Sequence, residues 1–327
     1  MIPAFLRRIL SPYRLQSTLG SLIFVMLSTA CSISPSPVRR VGSLDVGTAY
    51  RVAVQTDTAF VATNDGVVVV DIHKRGRPQK IALIDLKEAA FGVYAQENLV
   101  FIAGPADGLV IADIQDPASP KVVGTYAGSG ISEICVQGGI AYAATQQGDL
   151  HLIDVENPSQ PTLISTYQGG SGMGLMVACL QDVVFFSKSE SGVDVIDVSK
   201  PSNPAKMTTV PTTQGAKDVQ IVGETLYLSC AGNGIRILDI ADPLLPKVTA
   251  SFNKGSETWG IGGNSQILWV GDLQEGIQIY DLSNPQSPIL IAQQSSYAPH
   301  DIFFDGEYAY LADQDQGFVI LDYRRDD

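Results

Sequence analysis

The chain has 327 residues, 45 % of them hydrophobic and 17 % charged, with a formal net charge of −13. That length fits either two ordinary domains or one large all-β domain. The acidic balance argues against a nucleic-acid partner, because phosphate contacts need clustered Lys and Arg, and no basic run occurs in the body of the chain.

Residues 1–30 read as a processing segment. Arg7, Arg8 and Arg14 form a positive region, and no acid precedes Asp45. An apolar heart from Leu22 to Leu27 follows, too short to cross a bilayer as a permanent helix. It ends in Leu27-Ser28-Thr29-Ala30-Cys31. Small residues before a Cys resemble the bacterial lipoprotein signal, in which the Cys becomes the lipid-bearing first residue. Ser28 departs from that pattern, which prefers a large aliphatic there. An ordinary secretory signal cut near Ala30 is the alternative. The resemblance implies lipidation at Cys31, a tether over 31–36, and membrane attachment through a lipid anchor only. Ser32 follows the Cys where an Asp is absent, which by the resemblance to enterobacterial lipoproteins points to the outer membrane. The expected location is therefore exported and outer-membrane anchored, facing the periplasm or the cell surface.

Beyond Cys31 lie Cys135, Cys179 and Cys230. Three is odd, so not all can pair internally, and their spacing fits no zinc motif. They read as small buried apolar residues. A Cys135–Cys179 disulfide is left to geometry.

From residue 37 onward the chain repeats. Seven apolar runs each open on Gly and close on Asp: 66–71, 108–113, 148–154, 192–197, 234–239, 276–281 and 317–322. β-Branched residues dominate them, which is the strand signal. The closing aspartates are 42, 41, 43, 42, 42 and 41 residues apart. One aromatic per repeat keeps the same beat: Phe60, Phe101, Tyr142, Phe185, Tyr227, Trp269 and Tyr310. In six repeats a proline stands seven residues after the Asp, at Pro78, Pro120, Pro161, Pro204, Pro246 and Pro288. Proline cannot donate to a strand ladder, so it marks a turn, and the Asp side chain can cap that turn. Adding the flanking apolar segments gives four short strands in each repeat of roughly 42 residues, the signature of a propeller blade. The predicted fold is an all-β, seven-bladed β-propeller over 37–327. Repeat seven lacks its outermost strand, and Val38–Val46 stands in the right place to supply it and close the ring.

Gly108-Leu-Val-Ile-Ala-Asp-Ile, followed by Pro117 and Pro120, resembles the LVIVD repeat of bacterial and archaeal surface proteins. The resemblance implies the propeller fold and no established common activity.

The inner strand of each blade begins at the mouth of a central channel. Counting back ten and nine residues from each aromatic gives Tyr50-Arg51, Phe91-Gly92, Ser132-Glu133, Leu175-Met176, Lys217-Asp218, Trp259-Gly260 and His300-Asp301. These pairs vary while the framework repeats, so they form the candidate ligand-binding rim. Of three histidines, only His300 falls there; adjacent strand residues point to opposite faces, so His300 and Asp301 are not automatically a dyad. Neighbouring loops carry Asp65, Asp107, Glu190, Asp272, Glu275, Asp313 and Asp315. They read as a solvated acidic face, with calcium left open as a ligand. No catalytic residue, metal site or cofactor is assigned. The expectation is a non-enzymatic envelope scaffold that engages a protein or saccharide partner through the rim. The alternatives are a propeller hydrolase or lyase using His300 with rim acids, with or without calcium, and a purely structural spacer.

Overall fold

The computed structural model describes residues 37–323 apart from 87, 129, 190, 213, 214 and 254–256. The expected signal peptide, the tether and Cys31 lie outside the described residues.

Each repeat folds into one four-stranded antiparallel sheet, and seven such sheets form the ring. Blade 1 comprises Ala49–Gln55, Thr58–Thr63, Gly66–Asp71 and Gln79–Asp85, paired in chain order. Blades 2 to 6 repeat this order. Blade 7 takes its outermost strand, Val38–Leu44, from the other end of the chain. That strand pairs antiparallel with Gly317–Tyr323, from Val38 opposite Tyr323 to Leu44 opposite Phe318.

The period of two along each strand explains how the blades stack. In Thr58–Thr63, Phe60 and Ala62 pack towards blade 2, while Ala59 and Val61 pack towards blade 7. The same alternation in every blade produces seven hydrophobic clusters, one at each blade–blade interface. All seven repeat aromatics are buried in these clusters. Each contributes about 2 kcal/mol by leaving water. The core is thus a ring of interfaces and not a central plug, which leaves the channel free for other chemistry.

Two framework residues have clear physical causes. The closing Asp accepts the backbone N–H two residues on, at 2.8 Å for Asp71 and Asp113 and 2.7 Å for Asp281. Asp154, Asp197 and Asp239 do the same. In blade 7 the equivalent Asp322 meets Arg39 of the closing strand at 2.6 Å. The Gly at the start of each third strand, or just before it in blades 3 and 5, has positive φ in all seven blades. At Gly108 a Cβ would stand 2.3 Å from the Tyr126 carbonyl oxygen, so both conformation and space demand glycine.

Candidate functional site

The inner strands begin irregularly. In blades 1, 3, 4, 6 and 7 the register against the second strand slips at the start, between Ala49 and Arg51, Ile131 and Glu133, Gly174 and Met176, Thr258 and Ile261, and Pro299 and Asp301. Such bulges re-aim side chains. In these five blades the first member of the rim pair stands at the slip and reaches the channel mouth. Tyr50, Phe91, Ser132, Leu175, Lys217, Trp259 and His300, one from each blade, line a single cavity of about 170 Å³. Phe91 and Lys217 reach it from just before their strands.

The second members form a deeper ring. Odd-numbered blades contribute Arg51, Glu133, Asp218 and Asp301; even-numbered blades contribute Gly92, Met176 and Gly260. The glycines make room. A Cβ on Gly92 would fall 2.7 Å from Glu133 Oε1, and one on Gly260 would fall 2.6 Å from Asp301 Cα. Arg51 Nε lies 2.5 Å from Glu133 Oε2, and its Nη1 lies 3.1 Å from Asp301 Oδ1 and 3.3 Å from Asp218 Oδ1. Its Nη2 donates to the Lys217 carbonyl at 3.2 Å. The carboxylates also tie neighbouring inner strands together. Asp301 Oδ2 accepts the Val52 N–H at 2.8 Å, and Asp218 Oδ2 accepts the Ile261 N–H at 2.8 Å. Glu133 Oε1 accepts its neighbour's amide, Ile134 N–H, at 3.1 Å.

One guanidinium faces three buried carboxylates, so the ring's charges do not cancel if all are ionised. Burial pushes the Asp218 carboxyl up to about 7, against the pull of Arg51 and with the repulsion of Asp301. Burial raises Glu133 as well, with Arg51 opposing. Burial works to lower Arg51, yet Glu133, Asp218 and Asp301 together hold it well above its ordinary value.

At the mouth, His300 Nδ1 lies 3.0 Å from the Ala49 carbonyl oxygen. A carbonyl only accepts, so Nδ1 carries a proton, and in the neutral tautomer this bond selects, Nε2 is the acceptor. Asp301 is turned to Arg51 and Val52 instead, so the two neighbours form no dyad. The His300 ring stacks on Tyr50, with centroids 5.7 Å apart and planes 8° apart. It also meets Trp259 at 5.2 Å. Phe91 meets Tyr50 edge-on at 5.5 Å. Lys217 Nζ stands 5.3 Å from the Trp259 ring centre. Burial lowers the Lys217 ammonium, with Glu257 pulling the other way.

Beyond the ionic layer a second cavity of about 330 Å³ opens, walled by Val93, Tyr94, Cys135, Cys179, Gln220 and Phe303 among others. Counting further along the inner strands would have found it; the rim pairs alone did not. Cys135, Cys179 and Cys230 are free thiols. Cys135 faces Cys179 across the interface of blades 3 and 4. Burial, with a hydrogen bond to Cys179, raises the Cys135 thiol well above its ordinary value. Sequence reasoning also missed a buried pair at the same interface. Lys188 Nζ sits 2.9 Å from Asp194 Oδ2, and Asp194 accepts further bonds from Tyr167 and Thr209.

Two of the loop acids bind nearby backbone amides. Asp272 Oδ1 accepts from the Gln274 and Glu275 amides. Asp313 accepts from Ala298, Asp315 and Gln316. Glu190 lies outside the described residues. Among the described residues no group of three or more His, Cys, Asp or Glu is arranged to hold a metal ion.

Residues 46–79, 89–128, 130–169, 184–212, 215–254, 267–294 and 299–323 match the LVIVD repeat, one match in each blade. The chain belongs to the LVIVD-repeat family. No curated protein matches it in sequence. Among solved structures, this LVIVD-repeat protein is similar to the Cps50 (Swd1) β-propeller domain of Myceliophteria thermophila. The TM-score is 0.72 at 10 % identity, covering 87 % of this chain and 99 % of that one. It is similar to a chain of the mitotic checkpoint complex, with a TM-score of 0.70 at 15 % identity, covering 95 % and 100 % respectively. The RRP9 WD40 repeats give 0.69 at 9 % identity, covering 88 % and 97 %. At such identities the likeness shows the fold alone.

Proposed function

We propose that this LVIVD-repeat propeller is a non-enzymatic binding scaffold that engages a protein or saccharide partner through its channel mouth. The observation that supports this reading is the contrast within the inner strands. The framework positions repeat from blade to blade, while seven different side chains meet in one cavity. Repeated positions answer to packing; divergent ones that converge answer to something outside the fold. Lipidation at Cys31 would hold the scaffold at the outer membrane, and the residues around that Cys motivate this part of the proposal. The hydrolase or lyase alternative would use His300 as a base oriented by an acid, and the Nδ1 bond to the Ala49 carbonyl lends that arrangement no support. The test is capture from solubilised membranes, with the wild-type protein and a Trp259→Ala variant as bait. A partner retained by the first and lost by the second is expected. Identical capture by both would remove the mouth from the proposal.

A further inference from the structure

Resting on the binding reading above, we propose that the mouth receives the terminal acidic sugar of a glycan end-on, with its pyranose ring against Trp259 and its carboxylate on Lys217. Four lines of geometry converge on this ligand class.

The first is the aromatic wall. Phe91, Tyr50, His300 and Trp259 come from four consecutive blades and touch in sequence around the mouth. Such a wall offers rigid apolar faces to the C–H face of a sugar ring, at low entropic cost. The second is charge. Arg51 is committed to three carboxylates below. Lys217, half-buried beside Trp259, instead feels Glu257 only through space. A ligand carboxylate brought to a partly desolvated ammonium forms a charge-assisted bond, the strong kind. The third is shape. Arg51 and Glu133 line both cavities, so their ion pair floors the mouth. A ligand entering from the mouth meets that ion pair first, which favours a chain end over a threaded chain. The mouth's volume of about 170 Å³ is below that of a drug-sized pocket and suits one ring.

The fourth separates a sugar from a peptide carboxy-terminus. Peptide termini are captured by clusters of free backbone N–H groups. Here the amides beside the floor are taken: Val52 by Asp301, Ile261 by Asp218 and Ile134 by Glu133. Recognition is left to side chains. His300 Nε2 supplies an acceptor for a sugar hydroxyl, and Lys217 supplies the donor for the acid.

The experiment is a titration with methyl β-D-glucuronide and methyl β-D-glucoside, which differ only at the carboxylate. Tryptophan fluorescence follows binding at low ionic strength. Trp269 is buried in a blade interface, so the response belongs to Trp259, and a Trp259→Phe variant checks that assignment. At least tenfold tighter binding of the glucuronide is expected. Lys217→Met should erase the ratio, Lys217→Arg should keep it, and Trp259→Ala should weaken both sugars. Circular dichroism melts confirm that each variant is folded. Equal affinity for the two sugars, or a ratio that survives in Lys217→Met, overturns the proposal. Should neither sugar bind while membrane capture still depends on Trp259, the sugar is wrong and the binding mouth stands. Should capture also ignore Trp259, both readings fall together.

Discussion

Arg51 lies between Glu133, Asp218 and Asp301 with its side chain 15 % exposed. Removing one partner of a buried ionic group costs more than the group itself contributes, because the charges left behind stay desolvated. Arg51→Met should therefore lower stability by about 3–5 kcal/mol, read from urea unfolding, while leaving the strand content seen by circular dichroism. Asp218 makes a second residue-scale prediction with a definite sign. Its folded pKa of about 7 lies above the ordinary 3.8. Between those values the unfolded chain has released a proton that the folded chain still holds. Stability from this group is full at low pH and is lost as pH rises towards 7. Asp218→Asn cannot titrate, so its melting temperature should gain on the wild type as pH rises from about 4 to about 7 and no further above that. Parallel profiles would place the excess proton elsewhere in the ring. The identity of every ring residue was legible in the sequence by counting from the aromatics. Which of them neutralise one another was not, because those partners come from blades 1, 3, 5 and 7 and meet only across the closed channel.

The elements of the blade carry their boundaries in their own residues. The closing Asp caps a turn through its own side chain, and the opening Gly supplies a conformation that other residues resist. Both effects are local, so both are legible within the sequence of a single repeat. Asp113→Ala should cost about 1 kcal/mol, the worth of one hydrogen bond. Gly108→Ala should cost more, since φ of +73° alone strains a non-glycine residue by about 1–3 kcal/mol and its Cβ would strike the Tyr126 carbonyl. Chemical denaturation of the two variants side by side checks the order; a smaller loss for Gly108→Ala contradicts the packing argument. The bulges at the inner strand starts left no such mark. No common glycine or proline stands at those positions: the extra residue has no partner on the second strand, and carboxylates of adjacent blades hold the amide that follows the bulge in blades 1 and 6. The alternation rule put His300 and Asp301 on opposite faces. It could not foresee that a bulge would bring both neighbours to the channel, one above the other, with different partners.

The whole molecule depends on its closing strand. Val38–Leu44 covers the edge of Gly317–Tyr323, and Val38 is buried among the side chains shared by blades 6 and 7. Deleting 37–44 should expose that edge and remove part of one interface. Open edges recruit other chains, so size-exclusion chromatography should show a shift to species larger than the intact protein, with a broadened melt. A sharp transition and an unchanged elution volume in the truncated protein would mean that the ring does not need its clasp.

The repeat, its sevenfold count and the outermost strand missing from the last repeat followed from the amino-acid order itself. Packing demands that equivalent framework sites carry equivalent residues, and seven copies make the demand readable in the chain. The membership of the mouth followed as well, because a fixed offset in a periodic chain is a fixed place in a ring. The tertiary structure alone decided the chemistry between those members. It set Arg51 against three acids as a floor, tied His300 to the Ala49 carbonyl, left Cys135 and Cys179 as facing thiols, and placed Lys217 beside Trp259. Such relations depend on distances between residues far apart in the chain, and a period records position, not contact.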